Sequence, residues 1–258
     1  MIKPTPLAVI VPTMNRPAFL SRTVRWYARH GIPLYIGDSS ATAQSLAHEA
    51  TRKTHYFWIP GANETEASLQ VALLSDAPYL AWAGDDDFLI PGALHAAVAI
   101  LDNQRPYTSV FGESVIMATR KNAVYGAPES TVRYTEKDAF FRVYRREILI
   151  EGFRVAASGE SYDSRGRILE RELLRSDNLR HRLPLLMLIR QVHPWRVTAS
   201  KVEPWRARLG HCFPRIQYAK QWLESWREDN RLSLPSLRRR SSPFHEAFSE
   251  VTDFLTKG

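Results

Sequence analysis

With one cysteine, Cys212, among its 258 residues, the chain can build neither an intrachain disulfide framework nor a cysteine-rich zinc site. It also lacks any apolar run near the roughly 18–20 residues that a membrane-crossing helix needs. The short apolar run ending at Pro12 falls below the length of a secretory signal core. A water-folded protein of a reducing compartment is the expectation, with the cytoplasm as default.

No glycine-rich phosphate loop and no Walker-type segment occurs anywhere in the sequence. That counts against a nucleotidyltransferase or other magnesium-dependent phosphoryl-transfer enzyme, which is the rival enzyme class. No basic stripe with interleaved stacking aromatics is present either, so no nucleic-acid partner is expected. Apolar residues at 44% and charged residues at 24% are ordinary globular usage, which excludes a disordered chain.

The net charge of +8 is unevenly placed. Residues 1–130 carry 10 Lys/Arg against 11 Asp/Glu, and residues 131–258 carry 25 against 16. A basic C-terminal half suits phosphate-rich substrates or anionic headgroups, and equally a solvated surface.

Strand-like and helix-like runs alternate through the first hundred residues, the pattern of a mostly parallel sheet covered by helices and hence of an α/β fold. Leu7 to Val11 reads as a buried strand, Phe19 to His30 as a helix, and Pro33 to Asp38 as a second strand. Ala43 to Arg52 reads as a short helix and His55 to Ile59 as a third strand. Glu64 to Ser75 reads as a helix with Leu69, Leu73 and Leu74 inward. Tyr79 to Ala83 is the fourth strand, and it runs into Gly84-Asp85-Asp86-Asp87 before Pro91 and Gly92 open another helix. Further on, Ser109 to Met117 is strand-like with a hairpin partner near Val124-Tyr125. A helix-rich tail follows, with helices expected over Ile168 to Leu174, Leu183 to Ile189 and Ile216 to Trp226.

In open α/β sheets ligands bind outside the carboxyl ends of the strands. Three loops are expected there: Pro12 to Arg16, Asp38 to Ser40, and the acidic run. Three adjacent carboxylates raise one another's pKa unless a cation neutralises them. An all-oxygen set favours a hard ion, Mg²⁺ or Mn²⁺. The alternative is an exposed acidic turn at the start of the Pro91 helix, where carboxylates also suit the helix dipole.

The segments Val9-Ile-Val-Pro-Thr-Met-Asn-Arg-Pro17, Gly37-Asp-Ser-Ser40 and Tyr79-Leu-Ala-Trp-Ala-Gly-Asp-Asp-Asp-Phe-Leu-Ile-Pro91, in this order and at these intervals, resemble the family-two type glycosyltransferases of GT-A fold. The resemblance covers roughly residues 6–120 and is nearest to the bacterial subgroup with a short Asp run. It implies a nucleotide-sugar-binding core over 1–120, with an acceptor-side, helical and basic region over 121–258 in the same compact unit. It also implies that Pro12, Thr13, Asn15, Arg16 and Asp38 surround the base and ribose. Asp85, Asp86 and Asp87 would meet the donor diphosphate and metal. Asn63 falls where the family often contacts the nucleotide, and is equally suited to cap a helix. Gly84 departs from the commoner Asp-x-Asp-Asp motif, which leaves open which aspartate ligates the metal.

The activity so implied is metal-dependent transfer of a sugar, with inversion, from a nucleoside-diphosphate donor (UDP favoured) to a glycan or lipid-linked acceptor in envelope polysaccharide synthesis. A nucleotide-sugar-binding protein without turnover is the non-catalytic alternative. Inversion needs a base from the C-terminal half; Glu172 and Asp163 come first, then Glu160 and Glu170. His193 is a candidate late metal or diphosphate ligand, and Arg190 and Arg196 could neutralise diphosphate. The aromatic and basic residues of Ile216 to Trp226 suit peripheral contact with the inner face of a membrane, or packing against the domain.

Overall fold

The computed structural model describes residues 6–46, 51–119, 124, 128–134, 142–160, 162–192 and 242–257. His193, Arg196 and the stretch Ile216 to Trp226 lie outside these residues. In chain order the elements are β1 (Leu7–Thr13), α1 (Pro17–Arg29), β2 (Leu34–Asp38), β3 (Thr54–Trp58), α2 (Glu64–Leu74), β4 (Tyr79–Trp82), β5 (Asp87–Leu89) and α3 (Pro91–Asn103). They continue with β6 (Ser109–Thr119), β7 (Pro128–Tyr134), β8 (Val143–Arg145), α4 (Arg146–Ala157), α5 (Tyr162–Leu173), β9 (Arg180–Val192) and α6 (Ser242–Lys257).

The chain divides into two compact units, Met1–Glu113 with Thr135–Leu188, and Ser114–Tyr134 with Ile189–Gly258. The first is an α/β layer structure with strand order β3-β2-β1-β4-β8-β6-β9-β5. β3, β2, β1 and β4 are mutually parallel, and β8 turns antiparallel to β4 and to β6. Leu7 through Val11 are fully buried, as a central parallel strand covered on both faces requires. One face carries Ala8, Ile10 and Leu80 against Val71 and Ala72 of α2 and Leu149 and Phe153 of α4. Proline opens both α1 and α3, where its missing N–H is one of the helix's unpaired donors in any case.

Within the second unit, Ser114 to Thr119 pairs antiparallel with β7, from Ser114 opposite Tyr134 to Ala118 opposite Ser130, and the register shifts at Thr119. The hairpin partner thus lies at Pro128–Tyr134, later than Val124-Tyr125. α6 buries Phe248, Val251 and Leu255 on one side.

Three sequence expectations change. Leu183 to Ile189 is part of β9, not a helix: a continuous apolar run has no periodicity to separate the two, and here it is a buried strand between β6 and β5. No helix forms in the described residues 43–46 and 51–53; instead the Gln44 N–H donates to the Tyr56 hydroxyl at 2.7 Å, tying the chain to β3. On α2 the buried residues are Thr65, Ala67, Ser68, Val71 and Ala72, and Leu69 packs partly buried against the core, while Leu73 and Leu74 are exposed.

The small inward face of α2 matters because a Cβ on Gly37 of β2 would lie 2.9 Å from the Ala67 carbonyl oxygen. The helix therefore sits directly on the strand that ends in Asp38. Gly37→Ala should force α2 outward and cost about 1–3 kcal/mol, measured as a lower urea midpoint at unchanged m-value; an unchanged midpoint would show that the helix yields freely.

Candidate functional site at the carboxyl edge of the sheet

Strand order reverses between β1 and β4, because the chain builds β2 and β3 on one side of β1 and then crosses back. This switch point is where a crevice opens in such sheets. The register places Thr13, Asp38 and Trp58 in one row across the ends of β1, β2 and β3. The loop from β4 to β5 brings Asp85 and Asp86 to the end of β1, and Asp87 opens β5.

All three aspartates are buried, at 2%, 2% and 1% exposure, so the exposed-turn alternative does not describe them. Their charge is met by the loop after β1. The Arg16 guanidinium spans both neighbours, Nη1 on Asp85 Oδ1 at 2.5 Å and Nη2 on Asp86 Oδ2 at 3.0 Å. The Thr13 hydroxyl donates to Asp85 Oδ2 at 2.6 Å. Asn15 adopts a left-handed backbone, φ 57°, one of the few residue types for which this is cheap, and so turns Arg16 back toward the acids. Its own N–H donates to Ser40 Oγ at 2.7 Å, joining the first loop to the second.

Beneath the acids, α1 supplies donors to the Asp85 carbonyl: Thr23 Oγ1 at 2.6 Å and Arg22 Nη2 at 3.4 Å. Arg22 is fully buried with its guanidinium over the Phe19 and Phe88 rings, 4.9 and 4.7 Å from their centroids, so aromatic faces replace part of its lost hydration. Burial pushes the Asp85 carboxyl up to about 6, and Asp86 acts in the same direction; Arg16, Thr13 and Arg22 hold it from rising further.

Gly84 follows from this crowding. A Cβ there would lie 2.8 Å from Asp86 Oδ1 and 3.1 Å from Asp87 Oδ2, so both side chains fold back over the glycine. The departure from Asp-x-Asp-Asp thus has a local steric cause. It also bears on a metal. Both Asp85 oxygens are engaged by Arg16 and Thr13, and Asp86 Oδ1 and Asp87 Oδ2 both lie over Gly84. Among the described residues no three His, Cys, Asp or Glu converge on one metal position. Two carboxylate oxygens still fit a hard ion that takes its other ligands from phosphate and water.

Asp38 is fully buried: Oδ1 accepts from the Ser40 N–H and hydroxyl, and Oδ2 from the Tyr56 hydroxyl at 2.6 Å. Burial, then that bond, pushes the Tyr56 hydroxyl up to about 12. Pro12 is half-buried in β1. Asn63 caps α2, its Oδ1 accepting from the Thr65 and Glu66 N–H groups while Glu66 returns a bond to the Asn63 N–H. The four candidate bases lie on α5 or just after α4. Glu160 is exposed after α4, Asp163 and Glu170 are on α5, and Glu172, also on α5, pairs with Arg171 and Arg175.

Sequence reasoning passed over Arg22, Thr23, Ser40, Tyr56 and Trp58 as contributors. Arg22 had one signal, a charge inside the apolar stripe of α1. Tyr56 and Trp58 had another, alternation on a short strand.

No protein-family model and no curated protein matches the chain. Among solved structures it is similar to S. aureus TarS 1–349, 13% identical with TM-score 0.46 over 97% of this chain and 83% of that one. The same fragment in complex with UDP-GlcNAc gives 13% and 0.44, with the same coverage. The bifunctional IspDF from Campylobacter jejuni gives 10% and 0.40 over 69% of this chain and 49% of that one. Likenesses this distant decide neither ligand nor reaction. Among the described residues no helix is long and apolar enough to cross a membrane.

Arg16→Met removes the cation that keeps the buried Asp85 carboxyl from rising above about 6. The loss should therefore be largest where Asp85 must be ionised, roughly 3 kcal/mol at pH 8 and above, and shrink as pH falls toward 6, below which Asp85 takes up its proton with or without the cation. Thermal melts in chelator across that range test this, and a pH-independent loss would contradict it.

Proposed function

We propose that this chain is a glycosyltransferase that takes its sugar from a nucleoside-diphosphate donor bound at the carboxyl edge of the sheet. The observation that carries the proposal is the buried Asp85-Asp86-Asp87 cluster at the switch point, bonded to the loop after β1 through Thr13 and Arg16. Burying three acids together is costly, and nothing in the sheet's own packing calls for it. A site that must hold a charged phosphate group beside a cation does call for it.

Asp86 and Asp87 would hold Mn²⁺ or Mg²⁺ through the oxygens that lean over Gly84. Such an ion, when bound, neutralises charge on a departing diphosphate. The residues of the chain have the remaining work. Arg16, bonded to Asp85 and Asp86 and one-fifth exposed, would carry positive charge to the leaving group while Thr13 keeps Asp85 in place. Arg22 and Thr23 fix the Asp85 backbone from below, so the acids are preorganised rather than gathered at each turnover. An acceptor hydroxyl must lose its proton on the opposite face of the sugar. Glu172, Asp163, Glu160 and Glu170 remain the candidate bases, with inversion as the stereochemical course. A glycan or lipid-linked acceptor, and UDP as the donor nucleotide, follow from the sequence resemblance.

Calorimetric titration of UDP, GDP and CMP in Mn²⁺ and in chelator tests the reading. One nucleotide should bind in Mn²⁺, and lose at least about tenfold in affinity in chelator and in Asp86→Asn or Asp87→Ala, since a lost charged contact costs roughly 1.5–3 kcal/mol. Hydrolysis of the matching nucleotide sugar should follow the same pattern. Failure of all three nucleotides to bind would end the proposal.

A further inference from the structure

Resting on that reading, we infer that Trp58 is the stacking platform for the base of the donor nucleotide. β3 alternates along its length. Phe57 faces the core shared with α2 and α4, and Tyr56 and Trp58 take the other face. Tyr56 is half-buried by its bond to Asp38, whereas Trp58 is 48% exposed. Exposure of a tryptophan is unremarkable by itself, but this one is fixed in place. Its indole N–H donates to the Ser40 carbonyl at 2.8 Å, so the ring has given up rotamer freedom while about half of its surface stays exposed. A rigid, open aromatic face is preorganised for a flat partner.

Its neighbours tie it to the charged cluster. Ser40 is the hub: its N–H and hydroxyl hold Asp38, its carbonyl holds Trp58, and its Oγ accepts the Asn15 N–H. Asn15 precedes Arg16, which lies on Asp85 and Asp86. Trp58 also stands in register with Asp38, and through it with Thr13. β3 lies two strand spacings from β1, about 10 Å, a separation that a nucleoside bridges when its diphosphate rests on the Arg16 loop. Asp38, with both oxygens committed and no exposed surface, then acts as the pin that holds the platform. The ring has no hydrogen-bonding pattern with which to choose among bases, so this contact supplies affinity and leaves base choice to other groups.

The experiment titrates UDP, and separately inorganic diphosphate with Mn²⁺, into wild type, Trp58→Ala and Trp58→Phe, following heat and tryptophan fluorescence. Base–aromatic stacking is lost on alanine substitution at about 1–3 kcal/mol. Trp58→Ala should therefore weaken UDP by about 5- to 150-fold and leave diphosphate unchanged. Trp58→Phe, which keeps a ring and drops the indole donor, should bind UDP within about fivefold of wild type and lose most of the UDP-induced quench.

Three results overturn the inference with the functional reading intact: Trp58→Ala binding UDP like wild type, UDP and diphosphate weakened equally, or Trp58→Phe quenching as wild type does. The Phe variant decides the matter if the Ala variant melts early. Wild type that binds diphosphate but none of UDP, GDP and CMP refutes both the platform and the donor reading.

Discussion

Burial of three consecutive carboxylates is the constraint around which this end of the molecule is arranged. Charges of one sign a few ångströms apart, and out of water, raise one another's pKa and destabilise the fold unless opposite charge and donors surround them. The chain meets that demand from two directions. From above, Asn15 takes a left-handed turn that brings Arg16 onto Asp85 and Asp86. From below, α1 delivers Thr23 and a fully buried Arg22 to the Asp85 carbonyl, with Phe19 and Phe88 stacked on the guanidinium. Gly84 completes the arrangement by having no side chain where Asp86 and Asp87 fold back.

The demand spreads outward through hydrogen bonds of ordinary length. Thr13 reaches Asp85 from the last residue of β1, and the Ser39 N–H donates to the Thr13 carbonyl at 2.9 Å, so the loop after β2 is tied to the loop after β1. Ser40 passes the link to Asn15, Asp38 and Trp58. A closely packed α2 fixes the strand that carries Asp38, since Gly37 admits the Ala67 carbonyl at a distance no Cβ would allow. Each part of the candidate site is thus held by bonds to its neighbours before any ligand arrives. That is how a loop-built site becomes rigid enough to orient a substrate.

Much of this was legible beforehand, because period and position carry it. The apolar run of β1, the helix opened by Pro91 and the acidic run after β4 follow from patterning, and the α/β class follows from their alternation. Legibility failed where patterning is silent. Leu183 to Ile189 is apolar throughout and so has no period to distinguish a helix from the buried strand it forms in β9. Leu73 and Leu74 are apolar but end on the open side of α2, because the face that packs on β2 must be small. Residues 43–46 follow a tertiary bond to Tyr56 instead of a helical ladder.

The sequence by itself determined which residues could carry charge at the carboxyl edge and in what order the strands reach it, since alternation and turn chemistry are local properties. Only the tertiary structure decided how those charges are balanced. Thr13 and Asp85 stand 72 positions apart, Arg16 and Asp85 almost as far, and no local rule pairs them. Nor could sequence show that Asp38 turns inward to Ser40 and Tyr56 while Trp58 remains open, because that depends on which face of β3 the neighbouring loop covers. Pairing between distant residues is a property of the packed sheet, and a chain read one residue at a time does not contain it.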